Sequence, residues 1–202
     1  MPPHSRKSPT NFRYKTEEGL TAQFAETHQL DSGPTEPAKN IQGDESPNQA
    51  VWVRNLDRLI KVLPEDTSDF HWIDVGCGSG IALIYIAKKW PFASISGIEH
   101  DPRIATVAVE NVRRAGLDRE GVSIKLGDAA VAKIRRQKNL LFLFNPFGAD
   151  TFRKMMASNH QTIPGTGSYL LLANDHLLEP ALEYGLLVKR IARYNLSVLK
   201  LH

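Results

Sequence analysis

Cysteine is nearly absent from this chain of 202 residues, which holds only Cys77. A disulfide within the chain is therefore excluded, and a lone cysteine is typical of proteins from a reducing compartment. No apolar run approaches the roughly 20 residues that a membrane-spanning helix needs. The opening residues, MPPHSRKSPTNFRYKTEEG, lack the apolar centre of a secretory signal. We therefore expect a soluble cytoplasmic protein without a membrane span.

Metal-binding patterns and strong charge are also missing. No group of cysteine and histidine has the spacing of a zinc site, and no acidic cluster indicates an essential metal ion, so we expect no metal. The net charge of +3 and a pI near 9.0 do not by themselves indicate a nucleic-acid partner. The basic run KIRRQK (133–138) fits either a nucleic-acid patch or the solvated end of a helix, and no aromatic residue interrupts it. We expect no nucleic-acid partner, and the sequence leaves the oligomeric state open.

The chain divides into a leader and one domain. Six of the 12 prolines lie in residues 1–50, which show no sustained hydrophobic period. We predict that residues 1–45 form a flexible leader or lid, with a short helix at 19–30, and that residues 46–202 form the domain. Ser46 and Pro47 have the residue types of a cap and first position for a helix that ends before Pro64.

Strands and helices alternate from residue 70 onwards. The predicted strands are 70–75, 93–100, 121–128, 139–144 and 168–174, and the predicted helices are 80–90, 101–116, 129–137, 149–160 and 179–185. Residues 186–202 can form a closing antiparallel pair that turns near Asn195. The pattern predicts an α/β fold with a mostly parallel sheet and a C-terminal antiparallel hairpin.

The segment IDVGCGSG (73–80) is a glycine-rich loop between the first strand and the next helix. The dinucleotide fingerprint G-x-G-x-x-G fails, because Ile81 stands where its last glycine would be, and the Gly-Lys-Ser/Thr of a P-loop is missing. Asp74, two residues before Gly76, suits a cofactor that carries an ammonium group and would repel a pyrophosphate. The loop glycines Gly76, Gly78 and Gly80 permit a tight turn and a close approach to a ligand.

IDVGCGSG closely resembles the first motif of class I S-adenosylmethionine (SAM) dependent methyltransferases. The resemblance covers about residues 46–175, because GIEHDP, LGDA and FNPFG each follow a successive predicted strand. It implies a Rossmann-like methyltransferase fold and SAM as cofactor, with Glu99 on the ribose hydroxyls and Asp128 near the adenine amino group. The implied cofactor-binding residues are Asp74, Gly76, Cys77, Gly78, Gly80, Glu99, His100, Asp128, Ala129 and Asn145.

A narrower resemblance rests on THQLDSG (27–33), SPNQA (46–50) and FNPFG (144–148), which are similar to segments of a bacterial group with undefined substrates. It implies that Asn145 and Phe147 lie near the acceptor substrate. Family members that methylate adenine or glutamine nitrogen carry a second proline, which NPFG lacks. Asn145 could accept a hydrogen bond from an amine and Phe147 could form a pocket wall, or Phe147 could belong to the core.

The resemblance implies methyl transfer to an unidentified acceptor, expected to be a small molecule or a glycan-like or lipid-like substrate. The alternatives are N-methylation of a protein side chain or nucleobase, and a SAM-binding module without catalysis. Candidate general bases are His28 and Asp31 in the leader, His100 after Glu99 and His176 after the fifth strand, all of which are also ordinary loop residues.

Overall fold

The computed structural model describes residues 16–34, 49–63, 66–118 and 120–202, and these form one seven-stranded sheet with helices on both faces. The helices are α1 (Glu17–Thr27), α2 (Val53–Ile60), α3 (Ile81–Lys89), α4 (Pro102–Arg114), α5 (Ala149–Ser158) and α6 (Leu178–Ala181), and a 3₁₀ turn spans Ala192–Tyr194. The strands are β1 (His71–Val75), β2 (Ser94–Glu99), β3 (Val122–Leu126), β4 (Asn139–Phe144), β5 (Tyr169–Ala173), β6 (Gly185–Ile191) and β7 (Leu196–Leu201). No helix in these ranges is long and apolar enough to cross a membrane.

The strand order is β3-β2-β1-β4-β5-β7-β6. Strands β1 to β5 pair in parallel, whereas β7 runs antiparallel to both of its neighbours. The predicted fold class, including the C-terminal hairpin, is thus confirmed. The chain leaves β1 towards β2 and later returns to β4 on its other side, and ligands of such sheets bind at this switch point, beyond the carboxyl ends of the strands.

Two apolar clusters cover the two faces of the sheet because side chains alternate along each strand. Trp72 faces one cluster and Ile73 the other. The first cluster contains Leu56 of α2, Leu83 of α3 and Val112 of α4, and the second contains Phe152, Met155 and Met156 of α5 and Ala181 of α6. Strands β4 and β5 lie between these layers, which explains their nearly uninterrupted apolar sequences.

Helix α4 follows its sequence signals at both ends. The Asp101 carboxylate accepts a 2.9 Å hydrogen bond from the Arg103 amide, and Pro102 is the first helical residue. Gly116, just past the helix, has a φ of 75°, a left-handed conformation that favours glycine at a helix end. These bounds confirm the prediction for 101–116.

Helix α2 begins later than predicted. It starts at Val53 with Trp52 as the preceding residue, whereas Ser46 and Pro47 lie outside the described residues. The Thr21 hydroxyl of α1 accepts a 3.1 Å hydrogen bond from the Val53 amide, so a residue 32 positions earlier supplies the cap. A second contact joins the same helices, a 2.6 Å ion pair between Glu17 and Arg58.

The helix predicted at 129–137 is wrong. Residues 128–138 form turns and irregular backbone, because side chains from elsewhere satisfy their polar groups. Asn159, after α5, donates to the Ala132 carbonyl at 2.9 Å and accepts from the Ile134 amide at 2.8 Å. The basic run 133–138 is therefore not a helix end, and Arg136 within it donates to the Gln161 carbonyl.

Candidate functional site

The glycine loop connects β1 to α3 at the carboxyl edge of the sheet, next to the switch point. Its glycines Gly76, Gly78 and Gly80 have φ values of 74°, 55° and 79°. A residue with a Cβ adopts this left-handed region at a cost of roughly 1–2 kcal/mol, so the loop conformation itself requires the three glycines. The amides of Gly76 and Cys77 both donate to the Ile98 carbonyl of β2, at 2.8 and 3.0 Å, which fixes the start of the loop.

Protein atoms approach this loop closely from two sides. A Cβ added to Gly76 would lie 2.4 Å from the Cβ of Pro146, in the FNPFG segment after β4. The Cys77 side chain is buried against Gly97 of β2, where an added Cβ would lie 2.6 Å from its sulfur. Burial raises the pKa of the Cys77 thiol well above its usual range, so this cysteine is a packed loop residue.

Asp74 is the buried acid of the site. Asp74 lines a small cavity together with Gln49, Ala50 and Val51, which precede α2. The Oδ2 atom of Asp74 is buried and has no hydrogen-bond partner among the described residues. Burial, together with the Glu99 carboxylate, raises the pKa of Asp74 to about 8. An unpaired buried carboxyl is costly in a native structure, and a cationic group in the cavity would compensate it.

Glu99 stands at the end of β2 and is 9% exposed. Its Oε2 atom accepts a 2.9 Å hydrogen bond from the Gly78 amide. Its Oε1 atom accepts from the amides of His100 and Asp101, at 2.8 and 2.9 Å. The carboxylate therefore already fixes the glycine loop relative to the start of α4, a role that the sequence did not indicate.

The remaining predicted cofactor residues on this side follow β2 and β3. His100 is exposed, and Asp128 is exposed with its Oδ1 atom accepting a 2.8 Å hydrogen bond from the Ala130 amide. Ala129 is buried in the apolar cluster that contains Ile73. The structure thus places the ends of β1, β2 and β3, with Asp74, Glu99 and Asp128, at one edge of the sheet.

The ends of β4 and β5 carry a pair of asparagines. Asn145 and Asn174 both have left-handed backbones, with φ values of 48° and 54°. The Asn174 side-chain amide donates a 2.7 Å hydrogen bond to the Asn145 Oδ1 atom. Phe147 is 4% exposed and packs in the apolar cluster with α5, so its burial favours a core residue over a pocket wall.

The candidate bases lie in different places, and His100 is exposed just after β2. The His176 ring contacts the carbonyl oxygens of Asn174 and Phe147, at 3.0 and 3.2 Å, beside the asparagine pair. His28 packs edge-on against Phe24 at the end of α1, and the Asp31 carboxylate accepts from the Gly33 amide at 2.8 Å. His100 and His176 each follow one of the sheet strands whose ends form the site, whereas His28 and Asp31 follow α1.

Sequence reasoning missed several residues of this region. Pro146 and Asn174 contact predicted site residues, and Asn111 of α4 is fully buried behind the glycine loop. One signal could have found Asn111. It lies three positions after Ala108 and seven after Ile104, so it is a polar residue on the predicted apolar stripe of the helix.

Comparisons with known proteins agree with the fold. No protein-family model matches the sequence. The trans-aconitate 2-methyltransferase of Enterobacter sp. (strain 638) is 36% identical over 58 residues, which cover 27% of this chain and only 22% of that relative. The chain therefore matches about a fifth of the length of this curated relative.

Several solved structures share the architecture. The pyocyanin biosynthetic protein PhzM has a TM-score of 0.58 at 14% identity, over 74% of this chain and 54% of its own. The StiE O-MT has a TM-score of 0.53 at 15% identity, over 73% of both chains. The B. subtilis tRNA methyltransferase TrmK has a TM-score of 0.51 at 15% identity, over 72% and 65%. The chain has the Rossmann-like α/β fold of class I methyltransferases.

Proposed function

We propose that this protein is a SAM-dependent methyltransferase that acts on a small-molecule or a glycan-like or lipid-like acceptor. The observation that carries the proposal is the buried Oδ2 atom of Asp74, beside the glycine loop, which has no hydrogen-bond partner among the residues that the structure describes. The amino group of the methionine part of SAM is the kind of cation that this carboxyl lacks. A pyrophosphate cofactor would instead bring negative charge to a buried acid.

The other residues at this edge suit the rest of the SAM molecule. The Glu99 carboxylate can accept hydrogen bonds from the ribose hydroxyls, because its oxygens keep free lone pairs beside their contacts with backbone amides. Asp128 can accept a hydrogen bond from the adenine amino group. The left-handed glycines Gly76, Gly78 and Gly80 shape the loop that would lie against the methionine part of SAM. Bound SAM supplies an electrophilic methyl group on a sulfonium, and residues of the chain need to align the acceptor with it and exclude water.

The acceptor would approach between the ends of β4 and β5. There the side-chain oxygen of Asn145 already accepts a hydrogen bond from the Asn174 side chain, and the Phe147 ring is buried. Neither group is arranged as an open clamp for a planar amine, which favours a small-molecule acceptor over a nucleobase or a protein amide. His176 borders the same space, and both of its ring nitrogens contact carbonyl oxygens, so it is our candidate for a positioning residue.

We also propose that the chain is related to the bacterial group with the Asn-Pro-Phe-Gly segment. The segment FNPFG at 144–148 supports this, and in this chain its proline packs on Gly76 of the glycine loop. The 36% identity to a trans-aconitate 2-methyltransferase suggests small carboxylic acids as the first acceptors to try.

The first test is calorimetric titration of the full chain with SAM and with S-adenosylhomocysteine. We expect both to bind, and we expect Asp74→Asn and Glu99→Gln to weaken binding by about 1–3 kcal/mol, because each removes a charged partner. Glu110→Gln, a surface change on α4, serves as the control and should bind as the wild type does. Failure of the wild-type protein to bind either compound would refute the proposal.

The second test follows the methyl group. Radiolabelled SAM is incubated with the protein and with small-molecule, RNA and protein fractions of a bacterial extract. Label in small molecules supports the proposed acceptor class, whereas label in RNA or protein supports N-methylation of a macromolecule. Tight binding without transfer to any fraction would support a binding module without catalysis.

A further inference from the structure

Asn111 is a polar side chain in the apolar interior, on the face of α4 that packs behind the glycine loop. It has no solvent exposure, and its neighbour on the same face, Ala108, lies 3.5 Å from the position of a Cβ at Gly80. A buried amide is retained at little cost only when its donors and acceptor are satisfied.

Asn111 satisfies its amide with two separate parts of the chain. Its Nδ2 atom donates to the Ser79 carbonyl in the glycine loop, at 2.9 Å. The same Nδ2 atom donates to the Asp31 carbonyl at 2.7 Å, and its Oδ1 atom accepts from the Asp31 amide at 2.9 Å. The Asn111 side chain therefore connects the glycine loop to Asp31, which lies 80 positions before Asn111 in the sequence, through both backbone groups of Asp31.

The segment around Asp31 has a defined backbone. Gln29 has a left-handed φ of 54°, and its carbonyl accepts a hydrogen bond from Arg114 at the end of α4. The Asp31 carboxylate accepts from the Gly33 amide, which closes a turn of the kind that aspartate favours. Residues 29–33 thus lie along the C-terminal half of α4, next to the loop, and are exposed on their outer side.

We propose that Asn111 is a positioning residue that couples residues 29–33 of the leader to the glycine loop, and that this leader segment is therefore part of the structure that binds SAM. The inference rests on the function proposed above. The loop is held at three consecutive residues: Gly78 by Glu99, Ser79 by Asn111 and Gly80 by packing on Ala108. Loss of the middle contact would let the loop carbonyl rotate, and it would release the leader at the same time.

The coupling can be tested from both ends. Asn111→Leu removes the amide and keeps a side chain of four heavy atoms that branches at Cγ, and Asn139→Leu is its matched control. Asn139 is equally buried and donates to two carbonyls, those of Arg135 and Gln137, but it lies at the opposite edge of the sheet. From the leader side, Asp31→Pro removes the amide that donates to Asn111, whereas Asp31→Ala keeps it. Because Asp31 is on the surface, these two variants do not threaten the core.

Two quantities are measured at a temperature where every variant is folded: the dissociation constant for S-adenosylhomocysteine, and hydrogen exchange in residues 29–33 and 76–82. We expect Asn111→Leu to weaken binding about tenfold and to speed exchange in both segments. Asp31→Pro should change the same quantities in the same direction. Asn139→Leu should lose stability without either change. Asp31→Ala, which loses only the side-chain bond to the Gly33 amide, should change both quantities far less than Asp31→Pro.

Binding within twofold of wild type in both Asn111→Leu and Asp31→Pro would overturn the inference. So would exchange in 76–82 that Asp31→Pro leaves unchanged. If Asn111→Leu does not fold, Asp31→Pro and its alanine control still decide the question. If the wild-type protein binds no SAM compound, the proposed function fails, and exchange in 76–82 still tests the coupling independently.

Discussion

Pro146 packs so closely on Gly76 that a Cβ at position 76 would lie only 2.4 Å from the Cβ of the proline. The loop of the first strand and the segment after the fourth strand are therefore in direct contact. The proximity that excludes a side chain at Gly76 comes from the protein itself. The glycines of such loops are commonly explained by the close approach of a ligand. Here Pro146, which follows β4, also explains why position 76 has no side chain.

Gly76→Ala should destabilise the protein more than its backbone conformation alone requires. Gly116 is the matched control, because its φ of 75° nearly equals the 74° of Gly76 but no atom lies within 4 Å of an added Cβ. We expect Gly116→Ala to lower the free energy of unfolding by about 1–2 kcal/mol and Gly76→Ala to lower it by about 2–5 kcal/mol. Denaturant unfolding measures both, and equal losses would show that the contact with Pro146 is relaxed in solution.

Asp74 should make stability fall as the pH rises. Its folded-state pKa of about 8 lies above the value of about 3.9 expected when unfolded, so the folded protein binds the proton more tightly between these values. The free energy of unfolding should therefore decrease from about pH 4 to pH 8, by at most about 1.4 kcal/mol per pH unit, and then level off. Asp74→Asn should remove this slope and be more stable than the wild type at pH 9.

The same substitution should weaken SAM binding, because the neutral amide cannot pair with an ammonium group. If Asp74→Asn gains stability and loses affinity for SAM, Asp74 is a group that serves binding at a cost to the stability of the protein. Thermal unfolding from pH 5 to 9 and calorimetric titration measure the two effects. A wild-type slope that persists in Asp74→Asn would assign the titration to another group.

The asparagine pair at the ends of β4 and β5 should affect turnover and not cofactor binding. Asn174→Gly retains the left-handed backbone and removes the amide that donates to Asn145. We expect affinity for S-adenosylhomocysteine to stay within twofold, and kcat to fall about tenfold once an acceptor is known, because Asn145 loses the hydrogen bond that orients it. Asn195→Gly, at a left-handed position in the β6–β7 turn, is the control. A fall in cofactor affinity would place Asn174 on the cofactor side instead.

Helix α1 should contribute to the stability of the protein, because its residue Thr21 caps the start of α2. Thr21→Val removes the hydroxyl that accepts from the Val53 amide and keeps the shape of the side chain. We expect a loss of about 0.5–2 kcal/mol in the free energy of unfolding, as for other helix caps. Thr106→Val, which removes an exposed hydroxyl on α4, should change it by less than about 0.5 kcal/mol. Equal effects from both variants would mean that the cap is not formed in solution.

Elements with strong local signals were predictable from the sequence. Helix α4 carries its cap, its proline and its terminal glycine within the helix and its immediate flanks, and the chain follows all three. Prediction failed where residues far away in the sequence supply the hydrogen-bond partners of backbone groups. Thr21 caps α2, and Asn159 holds residues 132–134 out of a helix, each from more than 20 positions away.

The sequence by itself determined the alternation of strands and helices, the parallel sheet with its antiparallel end, and a glycine-rich loop beside an acid. These follow from periodicity, caps and turn residues, which act over a few neighbouring positions. Only the tertiary structure decided that Pro146 packs on Gly76, that Glu99 holds the Gly78 amide, and that Asn111 connects Ser79 to Asp31. Such contacts depend on hydrogen bonds and packing between residues far apart in the chain, and no local pattern records which distant group will satisfy a buried polar atom.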